Sequence, residues 1–599
     1  MKMPLNNGSM QILPSKRLEQ LRGGASAASS LLVLFILIVY PLAALLLQIV
    51  FPHIFDSTMS FLPSIQPLVQ VFADKGNYMA VLNSLGIGIT AAILAAMIGT
   101  ITAFGSVKAA KMTRNMLNVS VWTIFFAPSY VIAEGWMILM QDGGIFAQAF
   151  GLPNGWSAWF FTRYGLIFTM ALRYFPFVHM AMEPAIRNMG IEFVNAGRLL
   201  GASRQQIVWK IVLPLLTPAL LAGASIAFAE GFGDFGFAAA IAPQMHIPLI
   251  SYQIYSALNE APVNYTAAAS LSLLLILVTG GALWLQMLWM NRKTYVTVST
   301  GSKGSSLPAA RVPILSWIGL SLTTVALILP IGATFLESLL KSDAGGIGVS
   351  NWSFQGYIDV IKNGSDGIQA ISRSFTYSLI AAVFTMGIGL FFAYKMVFRK
   401  SFATRILNMV TMSTIAVPGV VLAAGFIFAW NAKWLVPIHL VLYSTSACLA
   451  MAYIAGSLPY SIRLQVGAMS QLSPNLMKAA QVLGAKSGKI LWSIVFPLVS
   501  ATTVSTFFLA FTGTMFELPA SSLLYPAGEP PFSVVIASKF NAFEWEQGAA
   551  LTMLGLVFVF GSFLLGQYFV SRLEHRKITK QRKQNMEIKS PETEVLLPV

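Results

Sequence analysis

The stretch QVLGAKSGKILW, Gln481 to Trp492, sets two glycines, a lysine and a serine where a phosphate cradle would form. Such a loop needs Gly, four residues and then Gly-Lys-Ser/Thr, so that backbone amides wrap the phosphates and a hydroxyl reaches magnesium. Here only Ala485, Lys486 and Ser487 separate the glycines, and Ile490 stands where the hydroxyl belongs. Spacing and ligand both exclude nucleotide chemistry on this loop. GFGDFG, Gly231 to Gly236, formally matches Gly-x-Gly-x-x-Gly, but it follows a long apolar run instead of a strand in a βαβ unit, so the match is accidental.

The remaining chemistry lies in charges placed within or beside apolar runs. Glu134, Arg173, Glu230, Asp234 and Glu517 are of this kind. An ionisable group at membrane depth is expensive and marks a pathway by default. Asp234 and Glu517 occupy equivalent places in a repeat described below and would flank the mouth of a central pathway; a hydrated loop acid is the plainer alternative. Glu134, Glu230 and Arg173 have no charged twin, since Ala424, Gly513 and Gly456 stand opposite them. Glu134 or Glu230 is therefore expected to pair with Arg173 or to line water. The five histidines are scattered singly, so no metal cluster is expected, and the single cysteine, Cys448, cannot form an internal disulfide.

Positioning these groups falls to membrane helices. Of the 599 residues 56% are hydrophobic and 10% charged, far from the roughly 25% charged of soluble domains. Twelve apolar runs are long enough to cross a bilayer: 30–50, 80–105, 116–140, 164–186, 210–230, 265–290, 312–336, 374–396, 406–430, 438–462, 491–516 and 547–571. Helix is the default for each, because a lone strand in lipid leaves its backbone unpaired. With the N-terminus inside, most of the 38 Lys and Arg fall on the cytoplasmic side, among them Lys108, Lys111, Arg114, Lys395, Arg399, Lys400 and the tail from Arg572 to Lys589. Both termini are thus expected in the cytoplasm. The net charge of +16 is spread over short loops, which fits positive-inside topology and not nucleic-acid binding. The first apolar run exceeds a signal-peptide core of about 7–15 residues and reads as a retained span.

The chain is written twice. At an offset of 283, Gly201, Ala202, Ile207, Trp209, Ile211 and Pro214 fall on Gly484, Ala485, Ile490, Trp492, Ile494 and Pro497, Pro176 falls on Pro459, and Asp234 falls on Glu517. At 290, Leu117-Asn118, Pro128 and Gly135 fall on Leu407-Asn408, Pro418 and Gly425. The expected organisation is a segment 1–29, a first six-span half 30–290, a linker 291–311, a second half 312–571 and a basic tail 572–599. Six spans per copy give both halves one orientation, hence a pseudo-twofold axis along the membrane normal. In each repeated loop, Phe193, Ala196, Gly197 and Leu200, or Leu476, Ala479, Ala480 and Leu483, recur at helical spacing and predict a short helix with one apolar face toward a partner. Gly201 and Gly484 are placed to end that helix in the left-handed conformation, and Ser203 to cap the next one.

Both loops resemble the cytoplasmic signature of binding-protein-dependent ABC permeases: Glu-Ala-Ala, three residues, Gly, nine residues, Ile, one residue, Leu-Pro. The matching positions are Asn195, Ala196, Gly197, Gly201, Ile211, Leu213 and Pro214 in the first copy. In the second they are Lys478, Ala479, Ala480, Gly484, Ile494, Phe496 and Pro497. Asn195 and Lys478 replace the acid, Gly197 an Ala, and Phe496 the Leu. The resemblance extends over about 30–571, and the fused halves with MFELPASSLLYP, Met515 to Pro526, are similar to ferric-iron permeases.

The resemblance implies an all-α polytopic protein of MetI-like permease fold in the bacterial inner membrane, non-catalytic itself. It implies that two copies of a separate ATPase subunit, carrying ATP and Mg, seat the short helices in grooves. A periplasmic or lipid-anchored binding protein would deliver the solute. Ferric iron is the first expectation; thiamine, aminoethylphosphonate and polyamine are alternatives. An ion-gradient-driven secondary transporter is the competing class, because such carriers are also built from duplicated helical halves.

Overall fold

A computed structural model describes residues 28–55, 60–189, 191–292, 313–362, 365–399 and 401–589. The expected segment 1–29 and linker 291–311 lie almost wholly outside the described residues, as does the end of the 572–599 tail. Among the described residues there is no β-strand, only a single bridge between Leu340 and Trp352.

Eighteen helices carry the architecture, nine in each half. The first half has α1 (Ala28–Val50), α2 (Lys75–Lys108), α3 (Lys111–Phe126), α4 (Ser129–Met140), α5 (Arg163–Asn188), α6 (Ile191–Leu199), α7 (Arg204–Phe232), α8 (Ile250–Asn259) and α9 (Tyr265–Arg292). The second half repeats them as α10 (Pro313–Glu337), α11 (Asp366–Phe398), α12 (Phe402–Thr414), α13 (Gly419–Trp430), α14 (Ser446–Ser470), α15 (Pro474–Val482), α16 (Ser487–Met515), α17 (Phe532–Asn541) and α18 (Trp545–Lys589). Start signals repeat too. The Thr162 side chain accepts from Tyr164 N at the head of α5, and Thr445 from Cys448 N at the head of α14.

Nine of the described helices are long and apolar enough to cross a membrane, and eleven spans result if each of two bent pairs counts as one. Those pairs stand where one helix each was expected, at 116–140 and 406–430. α3 and α4 meet at 103°, α12 and α13 at 118°. The cause is Pro128 and Pro418. Each lacks an N–H, and the residue before a proline is pushed out of the helical region. Ala127 is extended at φ −65°, ψ 132°. The run expected at 438–462 is α14, which is helical from Ser446 and is not among the eleven.

Prolines also shape three other helices. A π-turn at Phe35–Val39 is followed by Pro41, one at Val208–Val212 by Pro214, and one at Leu491–Val495 by Pro497. A proline ring clashes with the carbonyl four residues before it and cannot donate to it. Widening the preceding turn relieves both problems: Tyr40, Leu213 and Phe496 donate instead to Phe35, Val208 and Leu491. The Ile-x-Leu-Pro part of the sequence signature is thus the mark of a widened turn at the root of α7, matched in α16.

The halves exchange their first helices. α1 lies on α13, where a Cβ added to Gly425 would come within 2.9 Å of the Pro41 carbonyl oxygen. The Tyr40 hydroxyl donates to Ala429 O at 2.7 Å in the same contact. α10 lies on α2, α3 and α4 of the first half, where a Cβ on Gly135 would come within 2.4 Å of Pro330 O. Ser316 Oγ donates to Gly105 O at 2.9 Å. Two glycines equivalent in sequence therefore each receive a proline of the first helix of the opposite half. Small residues that let backbones touch are the usual means of joining membrane helices.

Candidate functional site

Where the bent pairs meet, the breaks before α4 and α13 enclose a cavity of about 330 Å³. Pro128, Ser129 and Tyr130 line it from one half, Pro418 and Gly419 from the other. Arg173 of α5, Glu230 of α7, Tyr460 of α14 and Gly513 of α16 complete its wall together with Asp234 and Glu517. Four of the five charges singled out in sequence thus share one cavity. Glu134 is absent from it. It is 4% exposed on α4, a turn beyond Tyr130, and its Oε2 has no hydrogen-bond partner among the described residues.

Asp234 and Glu517 turn out to be capping groups. Phe237 N donates to Asp234 Oδ1 at 2.6 Å, opening the short helix Gly236–Ala240, and the Tyr174 hydroxyl donates to Oδ2 at 2.5 Å. Ala520 N donates to Glu517 Oε1 at 2.9 Å and Ser521 N to Oε2 at 3.0 Å, opening Pro519–Leu524. Behind them Ser251 and Ser533 donate to the carbonyls of Asp234 and Glu517, each at 2.6 Å. An acid at a helix N-terminus satisfies orphan amides and favours the dipole. Both acids therefore border the cavity while their carboxylates are already engaged, Glu517 by two backbone amides and Asp234 by one amide and the Tyr174 hydroxyl.

Arg173 and Glu230 differ. Glu230 is exposed to the cavity, and no ion pair joins it to Arg173. This corrects the sequence expectation of pairing and leaves the alternative, a carboxylate facing open space. The Arg173 Nη2 lies 3.5 Å from Phe125 O, at the limit of a hydrogen bond, while Nε and Nη1 are buried without an acceptor.

At the far ends of α7 and α16 sit the two repeated loops. α6 ends on Gly201 at φ +76° and α15 on Gly484 at φ +78°, a region open to glycine at little expense. Ala202 N reaches back to Gly197 O at 2.9 Å, and Ala485 N to Ala480 O at 3.0 Å, the bonding of a Schellman corner. Ser203 then forms a capping box with Gln206 at the head of α7. The second copy has Lys486 at that place and no side-chain cap.

The expected apolar face is split by the structure. Phe193, Ala196 and Leu200 point outward, but Gly197 points inward, where an added Cβ would meet Ile211 Cδ1 at 2.7 Å. In the second copy Leu476, Ala479 and Leu483 face outward while Met477 and Ala480 are buried beside Ile490 and Ile494. The small residue at the signature's third position therefore lets the short helix lie on its own root. Asn195 and Lys478 are both exposed on the outer side. So are Leu199 at 88% and Leu200 at 87%, matched by Val482 and Leu483 at 87% each. Two bare apolar pairs at equivalent positions are unlike the scattered exposed leucines of a monomer surface.

A family model described as the binding-protein-dependent transport system inner membrane component matches residues 88–288 and 385–575, one stretch in each half. The chain belongs to this family. It is 25% identical over 551 residues to the ferric transport system permease protein FbpB of Actinobacillus pleuropneumoniae, an alignment covering 90% of this chain and 75% of that one. The sulfate transport system permease protein CysW of Synechocystis is 28% identical over 223 residues, 35% of this chain and 75% of its own. The sulfate transport system permease protein CysT of Escherichia coli is 33% identical over 129 residues, 20% of this chain and 46% of its own. This is a fused, two-half permease subunit of an ABC importer, a multi-pass protein of the inner membrane.

Two residues of the permease site escaped sequence reading. Tyr174 holds Asp234 and Tyr460 opens onto the cavity, while Arg463, outside the cavity lining, continues an exposed stripe on α14 from Gly456 and Tyr460 to Gly467. The i, i+4, i+7 spacing from Gly456 to Arg463 was readable, but nothing in it separates a face lining a pathway from one lining lipid.

Proposed function

We propose that this permease carries ferric iron inward, driven by two copies of a separate ATPase subunit that bind ATP and Mg and seat on α6 and α15. The observation that carries the reading is the matched pair of exposed apolar ends, Leu199-Leu200 and Val482-Leu483, each joined through a left-handed glycine to a long helix whose other end borders the cavity. A solute-binding protein outside the membrane hands the cargo to the opposite face. Both termini and both short helices lie in the cytoplasm, as positive-inside charge favours. The chain itself hydrolyses nothing. Iron is favoured by the ferric relative that aligns over 90% of this chain and by a cavity in which Glu230, Asp234 and Glu517 outnumber Arg173.

The test is reconstitution of the full complex in proteoliposomes with radiolabelled iron on the binding protein. Uptake should require ATP and the ATPase subunit and should survive a protonophore. Uptake by the permease alone, or its collapse when the proton gradient is discharged, would support the secondary-transporter class instead.

A further inference from the structure

We propose that Arg173 and Glu230 form a site that reads both signs of charge, so that the solute crosses carrying an oxyanion toward Arg173 and its cationic part toward Glu230. This rests on the importer reading above. The three acids of the cavity suggest a cation alone, but Asp234 and Glu517 are held by backbone amides and, for Asp234, by Tyr174. Glu230 is the one acid of the cavity wall whose carboxylate makes no hydrogen bond or ion pair among the described residues.

Opposing it is a guanidinium with five fixed donors and one weak acceptor. Buried donors without acceptors are disfavoured, and an arginine kept in that state at a cavity wall finds its partner when the cavity fills. Arg173 lines the cavity but its Nε and Nη1 are covered in this arrangement, so capture of an oxyanion requires the guanidinium to turn toward the open space. A planar fork of N–H groups matches phosphate, carboxylate or sulfate oxygens and repels a bare metal ion.

The repeat supports assignment to a ligand instead of to the fold. Gly456 and Gly513 stand where a symmetric scaffold would put a second Arg and a second Glu. Both signs come from the first half, and the second half adds the exposed Tyr460. A cavity of about 330 Å³ is at the small end of ligand sites, room for a small ion complex or a short zwitterion.

Two sources supply this chemistry: an oxyanion bound to the ferric ion, or a zwitterionic organic solute such as 2-aminoethylphosphonate. The experiment uses the complete transporter in proteoliposomes with either ferric phosphate or 2-aminoethylphosphonate as labelled cargo. Arg173→Gln should lower uptake of the accepted cargo at least tenfold, with Arg173→Lys retaining a third or more, and the cargo that responds names the source. Wild-type uptake undiminished by Arg173→Gln overturns the proposal and leaves the importer reading standing. A second measurement does not depend on transport: labelled inorganic phosphate is equilibrated with the full chain in nanodiscs. Wild type should bind it, and Arg173→Gln should weaken binding at least tenfold at unchanged elution volume. No binding to wild type, or equal binding to both, overturns the proposal.

Discussion

Replacing Leu199 and Leu200 together by serine tests the role of the short helices without disturbing the fold. Both side chains are almost wholly exposed, at 88% and 87%, so their loss removes little packing, and surface changes of this kind usually shift stability by no more than about 0.5 kcal/mol. If a partner covers them, each loses the benefit of burial, about 1.5–3 kcal/mol for a leucine. Taking the lower figure for both gives about 3 kcal/mol per socket. At 1.4 kcal/mol per decade this weakens capture of the ATPase subunit by about a hundredfold. The assay is titration of purified ATPase subunit onto permease in nanodiscs, read by its retention and by stimulated ATP hydrolysis. Val482→Ser with Leu483→Ser should behave alike, and the fourfold variant should abolish capture while eluting as the wild type does. Retention within threefold of wild type in the fourfold variant would refute docking at these faces.

Three further outcomes follow from local geometry. Gly135→Leu and Gly425→Leu should each fail to accumulate as folded protein, because an added Cβ would lie 2.4 Å and 2.9 Å from a backbone oxygen of the exchanged helix; monodisperse yield in detergent checks this. Ser203→Ala removes half of a capping box and should cost about 1 kcal/mol, whereas Lys486→Ser supplies the missing cap in the second copy and should stabilise by a few tenths to 1 kcal/mol; thermal melts of the two variants should move in opposite directions. Tyr174→Phe deletes a hydrogen bond to a carboxylate at 2.5 Å and should destabilise by about 1.5–3 kcal/mol, seen as a lower melting temperature in detergent.

What was legible in the sequence was whatever repeats or acts locally. Gly201 and Gly484 had to take a positive φ because the chain turns there in both copies, and Ser203 with Gln206 is a cap written within four residues. The bends at Pro128 and Pro418 were visible as equivalent prolines, yet the apolar run continues through each, and hydropathy does not register direction. The exchange of α1 and α10 was not legible, since periodicity says that a helix has a buried face and not which helix covers it. Gly197 was read as facing a partner because a nine-residue helix offers two faces at similar spacing. The capping roles of Asp234 and Glu517 depend on short helices that follow a membrane span, where the same spacing fits a pathway acid equally well.

If an ATPase subunit docks on the short helices as proposed, the repeated geometry gives it a route to the cavity at the other end. α7 runs without a break from Arg204 to Phe232, a length of about 40 Å at 1.5 Å per residue, and Glu230 stands in its last turn. Beyond the widened turn near its root, the part from Leu213 to Phe232 can swing about that turn, provided the root itself is held. The Gly201 corner, the capping box and the contact of Gly197 with Ile211 hold α6 on that root. The widened turn at Val208–Val212 is then the place where α7 bends most easily, and Leu491–Val495 is its counterpart in α16. Because α1 and α10 bind each half to the other, a tilt of α7 and α16 cannot be relieved by the halves drifting apart. It has to appear at the wall they share, where Glu230, Asp234 and Glu517 face Pro128 and Pro418.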